Sequence, residues 1–315
     1  MLTTLKLGWR RAALEPRPAR RRALGQCLTG RCITGRRTTS WILNAAAALG
    51  LASLLASPAI AGTSYPFAQA GSNQGSIETR FAPPSGFARA AAQPQSFAAW
   101  LRGLPLKAKD APVVLFNGAP KASQDVHAAV VDIDTGTRDL QQCADAVMRL
   151  RAEWLYASGQ PNGIVFNVSS GRPVPFQRYA KGERPDADGK VWKKSAAPDG
   201  SYPSFRKYMD FIFAYAGTAT LEKELKPADV ADMQIGDVFI KGGAPGHAVI
   251  VADMVENTIT KSKRFLLIQS YMPAQDMHIL KNPANGDGSP WYAPPLGDLI
   301  TPEWTFAKGS LRRWP

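Results

Sequence analysis

The sequence predicts an α+β fold in which one helix, carrying a cysteine near its start, packs on an antiparallel sheet. Three observations predict it. Between residues 138 and 154, Leu140, Cys143, Val147, Leu150 and Trp154 recur at spacings of three and four, so they form one apolar stripe on a helix. Later runs, 237–240, 247–253 and 265–270, read as strands, the first two joined by a loop rich in glycine and proline. After residue 77 there is no internal repeat and no clean linker, so residues 77–315 read as a single domain.

The chain begins with a segment expected not to fold with the rest. Residues 41–61 form an apolar run after Arg36-Arg37 and end in the small-x-small site Ala59-Ile60-Ala61. That is the layout of a cleaved secretory signal peptide, with cleavage after Ala61 and a periplasmic or secreted product. The basic stretch before it is long, so either translation starts downstream or the n-region is extended. Thr38-Thr39-Ser40 after the paired arginines fits the twin-arginine export pattern poorly. Residues 62–76, polar and rich in Gly, Ser and Gln, read as a flexible tether.

Removing the leader changes two arguments. It carries 10 of the 38 Lys and Arg and 1 of the 25 acidic residues, which leaves 28 against 24, a net charge of +4. The +13 of the whole chain is therefore no case for nucleic-acid binding. Cys27 and Cys32 also lie in the leader, so Cys143 is the one cysteine beyond it and has no internal disulfide partner. No later run is apolar enough over a sufficient length to span a membrane.

The elements then follow in order. Ser96 caps a short helix over 97–102. Residues 113–116 and 126–134 read as strands. In the stripe helix Asp139 is the expected cap, with Gln142 in the capping-box position and Gly159 at the stop. Residues 164–168 form a short strand, and 171–202 read as a long surface excursion. Residues 205–225 are helical with a break at Gly217-Thr218. After the paired strands come 276–280, another strand candidate, and a tail with Trp291, Trp304 and Trp314 that wraps the domain.

The chemistry-bearing residues appear in a telling order: Cys143 at a helix start, His247 opening a strand, Gln269 on the next strand. A helix N-terminus favours a thiolate. An imidazole can take the thiol proton, and a polar group on its other nitrogen sets its tautomer. Gln141 or Gln142 could add an oxyanion donor to the Cys143 N–H. Each has a plainer alternative: Cys143 as a small core hydrophobe, His247 as a strand-edge histidine, Gln269 as a backbone-bonding amide, Gln142 as a capping partner. Alternation puts His247, Val249, Val251 and Asp253 on one face, expected to pack on the cysteine helix. His127, Trp192, Tyr271, Gln275 and His278 are the remaining groove candidates. The three histidines and Cys143 show no metal-ligand spacing, and there is no phosphate-binding glycine loop, so no metal and no cofactor is expected.

Gly236-Asp237-Val238-Phe239-Ile240, followed by Gly246-His247-Ala248-Val249-Ile250-Val251, resembles a segment of NlpC/P60 and CHAP domains. The resemblance implies a papain-like core and an exported cysteine amidase or endopeptidase acting on peptidoglycan stem peptides. His247 would be its base, Cys143 its nucleophile and Gln269 its third residue. Residues 81–306 are also similar to an uncharacterised bacterial envelope family, domain of unknown function 4846, through residues 138–153, Tyr215-Ala216-Gly217-Thr218, 236–253 and 269–275. Two departures stand out: about a hundred residues separate Cys143 from His247, and Gln142-Cys143-Ala144-Asp145 replaces the Asp-Cys-Ser-Gly often found at such nucleophiles. A non-catalytic binding module on the same scaffold is the alternative, as is an acyl transferase using the same thiol.

Overall fold

The computed structural model describes residues 65–68 and 74–315, all within one compact unit spanning 60–315. The expected leader, 1–61, and part of the expected tether lie outside the described residues. Within that tether Tyr65 packs on Trp100, ring centroids 5.2 Å apart, and donates its hydroxyl to the Trp100 carbonyl at 2.9 Å.

The fold is a mixed α/β arrangement built on antiparallel pairing. In chain order it runs α1 (Ile77–Arg80), β1 (Phe87–Arg89), α2 (Phe97–Arg102), β2 (His127–Val130) and α3 (Cys143–Ala157). Next come β3 (Val165–Asn167), β4 (Pro173–Pro175), α4 (Phe176–Ala180), β5 (Glu183–Pro185), β6 (Trp192–Lys194), α5 (Tyr202–Tyr215) and α6 (Thr218–Glu224). The final third holds β7 (Lys226–Pro227), β8 (Val238–Lys241), β9 (His247–Asn257), β10 (Lys263–Gln269), β11 (His278–Leu280), β12 (Leu299–Ile300), β13 (Thr305–Phe306) and β14 (Leu311–Arg313). The main sheet has the order β2-β11-β10-β9-β8-β14-β7, with β1 added on β9.

Two apolar layers sandwich this sheet. On one face Ala144, Val147, Met148 and Leu150 of α3 pack with Ala248, Ile250, Leu266 and Ile268. On the other, Val249, Val251, Phe265 and Leu267 meet Phe239, Tyr292, Leu299 and Phe306. Strand alternation explains the split, because successive side chains of β9 and β10 point to opposite faces.

Several expectations need correction. The stripe helix begins at Cys143, not before it: Gln142 is the N-cap, and its N–H donates to Asp145 Oδ2 at 3.0 Å. Asp139 instead accepts from the Gln142 side chain at 3.1 Å and from the Ala274 N–H at 2.7 Å. The helix is also buried on more than one stripe. Arg149 and Glu153, both 0 % exposed, pair at 3.2 Å. Burial opposes the Arg149 charge, but Glu153 and Asp134 beside it outweigh that and raise its pKa.

Residues 113–116 make isolated bridges rather than a strand. The excursion 171–202 contains β4, which pairs back onto β3, the small β5–β6 hairpin and the helix α4. Phe176 and Tyr179 anchor it by burial, an apolar pair that its Gly, Pro and charge content hides. The expected break is present, with α5 ending at Tyr215 and α6 starting at Thr218.

Candidate functional site

The site is built where β9 begins and β10 ends, against the first residue of α3. Gly246 permits this junction. A Cβ there would lie 2.4 Å from the Gly243 carbonyl oxygen and 2.7 Å from that of Lys241, so only glycine fits before His247. β8 and β9 then pair Lys241 with His247, which fixes the histidine at the strand's first position.

Cys143 occupies the first turn of α3, half-buried, with a free thiol. The backbone N–H groups of Ala144, Ala248 and Cys143 itself favour the thiolate. Burial works against them, and the Asp145 carboxylate two residues on adds to it, so the thiol is pushed up to about 11. Asp145 is itself raised to about 8 by burial. The Cys143 thiol is therefore neutral near pH 7.

His247 does not share the α3 face, contrary to the expectation from alternation. Its ring lies 5.7 Å from Phe306, 5.3 Å from Trp304 and 4.7 Å from Tyr271, on the opposite side of the sheet. Val249 and Val251 do share its face, but Asp253 leaves the stripe. A register shift between Leu266 and Leu267 leaves Ala252 as an extra residue of β9, and Asp253 pairs with Arg102 at 2.7 Å and with Arg89. The thiol and the imidazole consequently lie on two faces of the sheet at the start of β9, where the N–H of Ala248, the residue following His247, favours the thiolate. Tyr271 packs its ring on His247, and its pKa is raised by burial, then by Glu303 and Cys143.

Gln269 is buried, 1 % exposed, and fully engaged. His247 Nε2 lies 3.0 Å from Gln269 Oε1. The Gln269 amide nitrogen lies 3.3 Å from His278 Nε2 and donates to Glu303 Oε2 at 2.6 Å. His278 Nδ1 meets the Asp276 carbonyl at 2.9 Å, and Lys121 pairs with Glu303 at 2.6 Å. Burial lowers His247 to about 4 and His278 to about 3, so both rings are neutral near pH 7.

The other candidates divide. Gln142 lines a cavity of about 390 Å³ together with Cys143, Asp145, Thr218, Pro245 and Met272. Gln141, His247 and Gln269 are not among its walls. Gln141 is buried, its oxygen held by Arg149 at 2.6 Å and its amide nitrogen without a hydrogen bond. Gln275 turns its amide to the Pro273 carbonyl at 3.1 Å. His127 lies beside His278, ring centroids 6.1 Å apart, and bonds the Ala111 carbonyl at 3.3 Å. Trp192 of β6 lies under Arg178 of the neighbouring α4, 4.0 Å from the ring centroid. The structure thus brings His247, Gln269, Tyr271 and His278 together and sets Cys143 in the cavity beside α3; for Trp192 it offers only local packing.

Sequence reasoning missed Glu303, Lys121, Trp304 and Phe306. They reach the site from far along the chain, the last two stacking on His247 from the β12–β13 hairpin and its turn. Glu303-Trp304 in an irregular tail was the available signal, and it carries no spacing rule. Among the described residues no group of three or more His, Cys, Asp and Glu is arranged to hold a metal ion, and no helix is long and apolar enough to cross a membrane.

No curated protein and no solved structure matches the chain. The family described as domain of unknown function (4846) matches residues 77–313, which includes α3 and every strand of the main sheet. The chain belongs to that family.

Proposed function

We propose that the chain is an exported cysteine hydrolase with a papain-like arrangement, cleaving amide bonds with Cys143 as nucleophile, His247 as base and Gln269 as the group that orients the base. The observation that carries this reading is the hydrogen bond from His247 Nε2 to Gln269 Oε1 at 3.0 Å, one residue before the Ala248 N–H that favours the Cys143 thiolate. The bond uses one ring nitrogen and leaves Nδ1 as the proton acceptor.

The chemistry follows from a neutral pair. Nδ1 takes the thiol proton as the sulfur attacks a carbonyl carbon, and the carbonyl π electrons move to oxygen. The Cys143 N–H at the helix start supports the oxyanion, with the Gln142 amide, which lines the cavity and now donates to Asp139, as a second donor. The imidazolium then protonates the departing amine and leaves a thioester. Water, deprotonated by the same nitrogen, releases the acid and restores the thiol. The resemblance of the segments around Gly236 and Gly246 to peptidoglycan amidases, with the leader's export signal, supports stem peptides in the bacterial envelope as substrate.

The test is digestion of purified sacculi followed by mass spectrometry of the soluble fragments. New peptide termini that disappear with Cys143→Ala are expected. Identical fragment profiles from wild type and Cys143→Ala would remove the reading.

A second reading has its own observation. The thiol is pushed up to about 11, and the cavity it lines does not include His247. Both fit a binding module in which Cys143 is a wall of a peptide-binding cavity. Equal binding of stem peptides by wild type and Cys143→Ala, with turnover by neither, would favour it.

A further inference from the structure

We propose that Glu303 is a positioning residue that sets the tautomer of His247 through the side-chain amide of Gln269. The inference rests on the reading of His247 as a base, but its evidence is the hydrogen-bond network itself.

A glutamine amide can present either end to a neighbour. Here two neighbours remove the choice. Glu303 Oε2 lies 2.6 Å from the amide and can only accept, so the NH₂ end must face it. Turning the amide over would set two acceptors against each other in a buried site. His278 agrees. Its Nδ1 lies 2.9 Å from the Asp276 carbonyl, which can only accept, so Nδ1 carries the proton. Its Nε2 is then a lone pair, which takes the second amide hydrogen across 3.3 Å. Both amide hydrogens are thereby assigned, and Oε1 is left for His247. An oxygen facing His247 Nε2 at 3.0 Å requires the proton on Nε2, and the lone pair therefore sits on Nδ1.

Glu303 is itself held. Lys121 binds its other oxygen at 2.6 Å and also lies over the Tyr271 ring, 5.4 Å from the centroid. Lys121 is 8 % exposed, so the pair is largely shielded from water. Once Nδ1 takes a proton, the carboxylate lies one amide away from the new imidazolium and favours it. The charge order Lys121, Glu303, Gln269, His247 thus fixes the resting tautomer and supports the protonated one.

The chain holds three histidines, which makes the tautomer directly readable. In ¹⁵N-labelled protein, long-range proton–nitrogen spectra at neutral pH distinguish the two ring nitrogens, with His127→Gln and His278→Gln used for assignment. The wild type is expected to show His247 protonated on Nε2. Glu303→Gln, which can face Gln269 with either end of its own amide, is expected to move His247 toward the Nδ1–H form. Its kcat on a cleaved stem peptide is expected to fall about 10²- to 10⁴-fold, the size of a general-base contribution, at unchanged KM. Glu303→Asp is expected to keep the Nε2–H form. An Nδ1–H wild type, or a folded Glu303→Gln with an unchanged tautomer, overturns the proposal. If Glu303→Gln does not fold, Glu303→Ala carries the same test, and the wild-type tautomer remains decisive alone. Loss of the tautomer shift sinks this inference, whereas absence of turnover with the shift intact sinks only the hydrolase reading.

Discussion

The two faces of the main sheet hold buried polar groups for different purposes. On the α3 face, Arg149 is gripped by Glu153, by Asp134 and by the Gln141 oxygen. Every partner lies on α3 or in the loop leading to it. On the opposite face, His247, Gln269, His278, Glu303 and Lys121 form one connected path drawn from separated parts of the chain. The first arrangement neutralises a charge so that a helix can be buried. The second links two neutral histidines through Gln269 to the Lys121–Glu303 ion pair. The comparison teaches that burial of polar groups does not by itself mark a site. A directed chain of donors and acceptors ending at a histidine is the stronger mark.

The comparison breaks most sharply by substitution on each side. Arg149→Met leaves Glu153 buried without its partner, and should cost about 3–5 kcal/mol of stability in denaturant unfolding. Replacing both residues by apolar ones should recover most of that. Gln269→Leu is expected to do the reverse. It should cost less stability, because a well-packed apolar group replaces the amide, while cleavage falls about 10²-fold or more as His247 loses its orientation. If Gln269→Leu kept full cleavage, the second face would be structural like the first.

The faces should also differ in the sign of their pH response. His247 and His278 are lowered by burial, to about 4 and about 3, from an unfolded value of 6.5. Their contribution is complete above pH 6.5 and is lost as pH falls toward those values, at about 1.4 kcal/mol per pH unit for each ring. Asp145, beside Cys143 on the other face, is raised to about 8 from 3.8. Its contribution is complete below pH 3.8 and is lost as pH rises through 8. Thermal melts from pH 3 to 9 should show both limbs. His278→Leu is expected to flatten the acid limb and Asp145→Asn the neutral one.

A smaller effect concerns the thiol. Asp145 raises the Cys143 pKa, second to burial. Asp145→Asn keeps an oxygen for the Gln142 N–H and removes the charge. The midpoint of Cys143 alkylation by iodoacetamide should move to lower pH; a midpoint that stays or rises contradicts the assignment.

Much of this organisation is legible in the sequence, and the losses have physical causes. The strands at 247–253 and 265–270 show because their residues are apolar on both faces of a buried sheet. The order of Cys143, His247 and Gln269 is legible for the same reason, since each opens or ends a clear element. The face of His247 was misread because Ala248 and Val249 are both apolar, so alternation gives two faces without saying which one meets α3. The bulge at Ala252 leaves no mark that distinguishes it from regular strand. The start of α3 was placed early because Asp139 is a good cap by type, whereas the backbone turned helical only at Cys143. Glu303 could not be foreseen: it acts through a contact 34 residues away from Gln269, inside a tail without periodicity.

The central claim is that a thiol from one face and an imidazole from the other act as one unit at the sheet's end. Labelling of Cys143 by a peptidyl acyloxymethyl ketone, read on the tryptic peptide by mass spectrometry, measures this directly. Because such a probe is attacked fastest by a base-assisted thiol, His247→Asn is expected to slow labelling by about 10²-fold or more in a folded protein. Equal labelling rates for wild type and His247→Asn would contradict the account and return Cys143 to the core.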